Sequence, residues 1–179
     1  MESRNGDDIT LEKLDRRPVL SVRATVQVAQ LAEAQGEILR ELWSSLRDDG
    51  VDPAGPPFVR YHTLGETETE VEIGVPVTEP AAGGGRVAAG ELPAETAITT
   101  WHVGSHDRLG DAYGRLDAWL KERGRAADGT AWEAYWWIDA TVEPDPSGWP
   151  PPSDWRTQLI QPIADSEASD RTVDDRNGT

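Results

Sequence analysis

The chain has 179 residues, a formal net charge of -16, 37% hydrophobic residues and no cysteine. That length supports one domain or two small ones with a sizeable core, and the lowish apolar fraction assigns part of it to unstructured segments. The charge repels phosphate backbones and anionic membranes, which argues against nucleic-acid binding by this chain alone, and the missing thiols exclude disulfide frameworks, thiolate nucleophiles and zinc–thiolate sites.

No stretch near the N-terminus resembles a signal peptide, and none approaches the roughly 18 apolar residues of a membrane span, so a cytoplasmic protein without membrane association is expected. Residues 1–10 are polar and expected to be disordered. The β-branched run 18–26 predicts a strand with Leu20 and Val22 facing a core. Leu31, Ala34, Ile38, Leu42 and Leu46 recur at helical spacing, which predicts an amphipathic helix over 31–47 with Gly50 at its end. After the connector 53–57, residues 58–62 and 67–76 read as strands. In the second of these Glu68, Glu70 and Glu72 share one face; three carboxylates in a row repel one another, so a solvated face is the simpler reading than a metal site. The tract 78–93, with Gly83-Gly84-Gly85, reads as a flexible crossing, and no Lys-Ser/Thr pair follows it to make a phosphate loop.

Beyond it, residues 97–103 predict a strand and 107–123 a helix with Leu109, Ala112, Tyr113, Leu116, Trp119 and Leu120 as its apolar stripe. Residues 131–138 predict a strand on which Glu133, Tyr135 and Trp137 share a face, opposite Trp132, Ala134 and Trp136. A strand apolar on both sides is covered on both sides, which places Glu133 indoors among rings. The plainer alternative is a Glu at a sheet edge with ordinary core aromatics around it. The proline-dense stretch 144–152 must be a loop, residues 155–160 are a last strand, and 164–179 form a disordered acidic tail.

The order strand, helix, strand, strand thus occurs twice, in modules of about 11–77 and 91–163. Superposing them sets Phe58-Val59-Arg60-Tyr61-His62 on Trp132-Glu133-Ala134-Tyr135-Trp136, with Tyr61 on Tyr135 and Val59 on Glu133. The predicted fold is α+β, duplicated βαββ modules with pseudo-two-fold symmetry, antiparallel sheets, a central cleft and two long helices. Tyr61, Glu133, Tyr135 and Trp137 are its candidate ligand-binding residues. Trp101 joins them, although its face depends on a register the sequence leaves open.

Several runs resemble the GyrI-like, or AraC-type effector-binding, family of small-molecule-binding domains. They are Gly74-Val75-Pro76-Val77, Leu92-Pro93, His102 through Tyr113, Trp119-Leu120, Trp132-Glu133-Ala134-Tyr135, and Trp155 through Ile163. The resemblance implies a ligand cleft between the modules into which Glu133 points, and a stand-alone member, since 1–10 and 164–179 leave no room for a helix-turn-helix. It also implies that a hydrolase is an alternative, because some stand-alone relatives open reactive cyclopropane-bearing natural products. The number of tryptophans and the long Pro-rich loop depart from the family pattern.

The leading expectation is sequestration or sensing of an aromatic, cationic or electrophilic small molecule, without cofactor or metal. Ring faces attract cations, and Glu133 supplies a countercharge. In the hydrolase alternative Glu133 is the general base while Tyr61 or Tyr135 polarises the electrophile. An acidic module for a basic protein partner is a third class, and a homodimer stays open. The trio Ser105, His106 and Asp107 cannot form a catalytic triad, because adjacent residues cannot point at one another as required.

Overall fold

In chain order the strands are β1 (Thr10–Leu14), β2 (Arg17–Gln27), β3 (Phe58–Leu64), β4 (Glu68–Pro76), β5 (Gly83–Gly84), β6 (Val87–Leu92), β7 (Glu95–Val103), β8 (Trp132–Tyr135) and β9 (Arg156–Pro162). Helix α1 (Leu31–Asp49) lies between β2 and β3, and α2 (Leu109–Arg123) between β7 and β8, in a computed structural model that describes residues 9–165. The tracts expected to be disordered, 1–10 and 164–179, fall outside that range except for residues 9–10 and 164–165. Both helices end as the sequence anticipates, with Gly50 (φ 66°) and Gly124 (φ 60°) in the left-handed conformation that other residues avoid.

All nine strands join one antiparallel sheet in the order β1-β7-β9-β8-β3-β4-β2-β6-β5. The two βαββ modules are β2-α1-β3-β4 and β7-α2-β8-β9, and their sheets fuse through the central pair β3 and β8. There Val59 stands opposite Glu133, flanked by Phe58 against Ala134 and Arg60 against Trp132. In an antiparallel pair with that register, a two-fold axis between Val59 and Glu133 carries Tyr61 onto Tyr135, the same correspondence the repeated sequence gives.

Alternation sends Leu20, Val22, Val59, Val71 and Ile73 to one face, where they meet Ile38, Leu39, Leu42 and Leu46 of α1. Ile98 and Leu159 do the same against Ala112, Leu116 and Leu120 of α2. On the other face no helix among the described residues covers the sheet. Val19, Phe58, Leu92, Ala97, Trp132, Ala134 and Ile160 form a second core there because the sheet curls upon itself.

The sequence reading missed three strands, and two of them, β1 and β6, produce the curl. The tract 78–93, expected to be a flexible crossing, contains β5 and β6, and β1 precedes β2 with only residues 15–16 between them. β1 nevertheless pairs with β7 of the far module, and β6 pairs with β2. Residues 10–27 and 87–103 are therefore two bent ribbons that lap over each other. The missed strands carry mostly exposed side chains, so hydrophobic alternation could not reveal them; backbone pairing holds them in place.

On the acidic face of β4, expected to be solvated, Glu68 is exposed but Glu70 and Glu72 are half-buried, and each carboxylate has a cross-strand partner. Gln27 donates to Glu68 (2.8 Å), Arg23 to Glu70 (2.6 Å) and the Ser21 hydroxyl to Glu72 (2.8 Å). No helix among the described residues is long and apolar enough to cross a membrane.

Candidate functional site: a ring-lined cavity backed by a buried acid

β8 is shorter than the strand predicted over 131–138. After Tyr135 the chain turns, with the Ile138 N–H donating to the Tyr135 carbonyl (3.2 Å). Glu133 and Tyr135 still share the helix-covered face, since Glu133 pairs with Leu159 and Tyr135 with Thr157 across to β9. The turn throws Trp136 into solvent but folds Trp137 back against Tyr135, their rings stacked at 5.5 Å.

Glu133 is only 3% exposed. Burial pushes its carboxyl up from an ordinary value of 4.5 to about 7, while hydrogen bonding with Tyr113 of α2 and with Tyr135 pulls the other way. Tyr61 hydrogen-bonds with Tyr135 in turn, and burial together with the nearby acid raises all three phenols above their usual range. The result is a polar layer of one acid and three tyrosines between the sheet and α2.

Next to this layer, on the α1 side, lies a cavity of about 200 Å³. Its walls are Gln35, Gly36 and Leu39 of α1, Val59 and Ile73 of the sheet, and a ring cluster from the second module. Trp137 stacks flat on Trp155 (4.0 Å, 5°) and meets Trp149 edge-on at 5.3 Å. His106 joins through Tyr135 (5.1 Å) and Trp155 (5.0 Å), and its Nε2 lies 3.0 Å from the Thr157 hydroxyl. Burial first, and the neighbouring His102 second, lower the His106 pKa to about 4, so the imidazole is neutral at physiological pH. The Trp137 indole N–H is buried without a hydrogen-bond partner among the described residues. A donor in that position suits an acceptor on a guest.

Of the five residues expected in the cleft, Tyr135 and Trp137 line the cavity, and Glu133 and Tyr61 sit one layer behind Tyr135. Trp101 is not brought to them. Thr100 and His102 of β7 face the helices, so Trp101 faces the other way, paired with Gln158 and 5.8 Å from the Trp136 ring. Sequence reasoning missed four contributors: Tyr113, taken as helix stripe; His106, considered only for triad chemistry; and Trp149 and Trp155, assigned to a loop and a strand start. Among the described residues no group of three or more His, Asp or Glu side chains is disposed to hold a metal ion.

A duplicated βαββ unit with a ring-lined cavity on the helix-covered face of one curled sheet defines a small-molecule-binding domain. The chain belongs to the family of GyrI-like small molecule binding domains, whose model matches residues 7–163. Among solved structures, the C-terminal domain of EcmrR is similar at 21% identity and a TM-score of 0.70, over 88% of this chain and 97% of that one. Aligned with the EcmrR chain in its DNA complex, the present chain spans 57% of that chain's length. A hydrolase from Listeria innocua follows the same fold at 10% identity and a TM-score of 0.59, over 88% and 92% of the two chains. So does SAV2435 bound to tetraphenylphosphonium, at 10% identity and a TM-score of 0.52, over 91% and 98%. At these identities the likeness establishes the fold. No curated protein sequence matches the chain.

Proposed function

We propose that the domain sequesters or senses a lipophilic aromatic cation, held in the cavity beside α1 with Glu133 as countercharge. The observation that carries this reading is the buried Glu133 carboxyl directly behind a wall of aromatic rings. A cation over an indole or phenol face gains about 0.5–2 kcal/mol, and more when desolvated. Glu133 adds attraction across the width of Tyr135: at roughly 8 Å and an effective dielectric near 20 this is about 2 kcal/mol, or on the order of thirtyfold in affinity. The tetraphenylphosphonium in SAV2435 is a ligand of this chemistry in the same fold. Calorimetric titration with tetraphenylphosphonium at pH 8 tests the proposal. Binding is expected to weaken on the order of thirtyfold in Glu133→Gln and to be lost in Trp137→Ala. No heat with the native protein, or equal affinity in Glu133→Gln, would refute it.

A second reading, hydrolysis, draws on a different property of the same acid. A carboxyl titrating near 7 is poised to act as a general base in neutral solution. Glu133, which the cavity reaches only through Tyr135, would take the Tyr135 hydroxyl proton while that hydroxyl takes one from water, as the water oxygen bonds to one carbon of a cyclopropane. The strained carbon–carbon bond then breaks, its electron pair passes to the substrate's conjugated carbonyl, and protonation of that enolate completes the addition of water. Incubation with a cyclopropane-bearing electrophile, followed by mass, separates the readings. Turnover to a product heavier by one water that vanishes in Glu133→Gln supports hydrolysis; unchanged substrate that still binds supports the receptor.

A further inference from the structure

The uncovered face of the sheet carries its own concavity, unrelated to Glu133. Between the lap of the two bent ribbons and the central strands lies a cavity of about 310 Å³. Its floor is apolar, made by Phe58, Trp132, Ala134 and Ile160 of the second core. One wall is Trp136, a ring left 52% exposed by the turn after β8. Exposing an indole costs hydrophobic free energy, and here it is presented edge to edge with a basin rather than alone on the surface.

The charges on the rim run against the character of the chain. Lys13 and Arg17 both border the cavity, against a single carboxylate, Asp15, although the protein as a whole carries a net charge of -16. Neither cation forms an ion pair or hydrogen bond with a described residue, whereas Arg16, between them, is 3.6 Å from Glu91. Gln158 adds a neutral donor. Its Oε1 accepts from the Trp136 indole (3.0 Å), which fixes the amide orientation and leaves the NH2 group free to donate. Trp101 packs on Trp136 at 5.8 Å with the Arg156 guanidinium 4.7 Å from its ring centre, extending the aromatic and cationic strip beyond the cavity.

From this arrangement we infer that the uncovered face is a second small-molecule site, which takes a flat aromatic carboxylate. The ring lies on the Phe58 and Trp132 floor beside Trp136, and the carboxylate is held by Lys13, Arg17 and the Gln158 amide. An unpaired cation beside apolar surface gains most from a ligand that brings its own anion, and a guanidinium receives a carboxylate through two parallel hydrogen bonds. The site selects charge opposite to that proposed for the helix-side cavity, and the sheet separates the two. Trp101, on the face where the register puts it, backs Trp136 at the edge of the site.

Calorimetric titration with 2-naphthoate tests the inference, in low salt and without tetraphenylphosphonium. The native protein should bind it, and the neutral 2-naphthylmethanol and the doubly substituted Lys13→Gln, Arg17→Gln protein should each bind about tenfold more weakly. Trp136→Ala should weaken binding as well. Affinity should be unchanged in Trp137→Ala, and unchanged by tetraphenylphosphonium if that cation binds, so failure of the helix-side proposal leaves this test intact. Three results would overturn it: no binding of 2-naphthoate at millimolar concentration, equal binding of the uncharged alcohol, or loss of binding in Trp137→Ala.

Discussion

Replacing Glu133 by Gln should make the protein more stable above neutrality even as it weakens the proposed receptor. The carboxyl is pushed up from 4.5 to about 7, so the folded state holds this proton more tightly than the unfolded state does. Such a group contributes its stability below the unfolded value and loses it as pH rises through the folded one. At 1.36 kcal/mol per pH unit, ionising Glu133 in the fold costs about 3 kcal/mol at pH 8. Gln fills nearly the same volume, retains an acceptor for Tyr113 and Tyr135, and never ionises. Urea denaturation from pH 4.5 to 8.5 reads the effect as the variant's stability minus that of the native protein. The difference should be smallest at pH 4.5, grow to about 3 kcal/mol near pH 7.5, and stay level above. Taking the difference matters, because His106, with its pKa lowered to about 4, loses stability as pH falls through the same window and would mask the trend in either protein alone. A difference independent of pH, or a variant less stable at pH 8, would refute the placement of a desolvated acid at this position.

Binding of tetraphenylphosphonium should be strongest above pH 7 and fall below it by up to tenfold per pH unit to a limit of about thirtyfold, because the cation favours the ionised carboxyl; titrations at pH 5.5 and 8 with equal affinity would count against Glu133 as countercharge. Gly74→Ala should destabilise the fold by about 1–3 kcal/mol in thermal or urea unfolding. Its new Cβ would stand 2.6 Å from the Phe58 ring and 2.8 Å from both the Leu20 carbonyl and the Ser21 Cβ. Trp149→Ala should cost about 0.5–1.5 kcal/mol from its edge-on contact with Trp137 beyond the area exposed. It should speed dissociation of a bound aromatic cation, seen in stopped-flow fluorescence.

Much of the architecture was legible because it is written in apolar periodicity. Leu20 and Val22 marked β2, and Ile38, Leu42 and Leu46 marked α1. The match of Tyr61 to Tyr135 anticipated the axis that the β3–β8 register creates. β1 and β6 were hidden because their side chains are exposed and their partners lie in the opposite module. At the site, alternation identified Glu133 and Tyr135, whose roles depend on one strand. It could not place Trp101, whose face follows from its pairing with Gln158, and passed over Trp149 and Trp155, which reach the cavity through a loop with no period to read. His106 was weighed against triad chemistry but not as a ring among rings, where its neutrality is what burial dictates.

The exchange of leading strands has a mechanical consequence. Many two-lobed receptors admit a guest by swinging the lobes apart. Here that motion would tear three ladders at once, β1 from β7, β2 from β6 and β3 from β8, each of which joins one half of the duplication to the other. Accommodation of larger guests therefore falls to α1 and to the tryptophan-bearing segment 136–155, which rest on the sheet chiefly through side chains. The sheet itself is a rigid anvil, and the adjustable jaw of the receptor lies on one side of it.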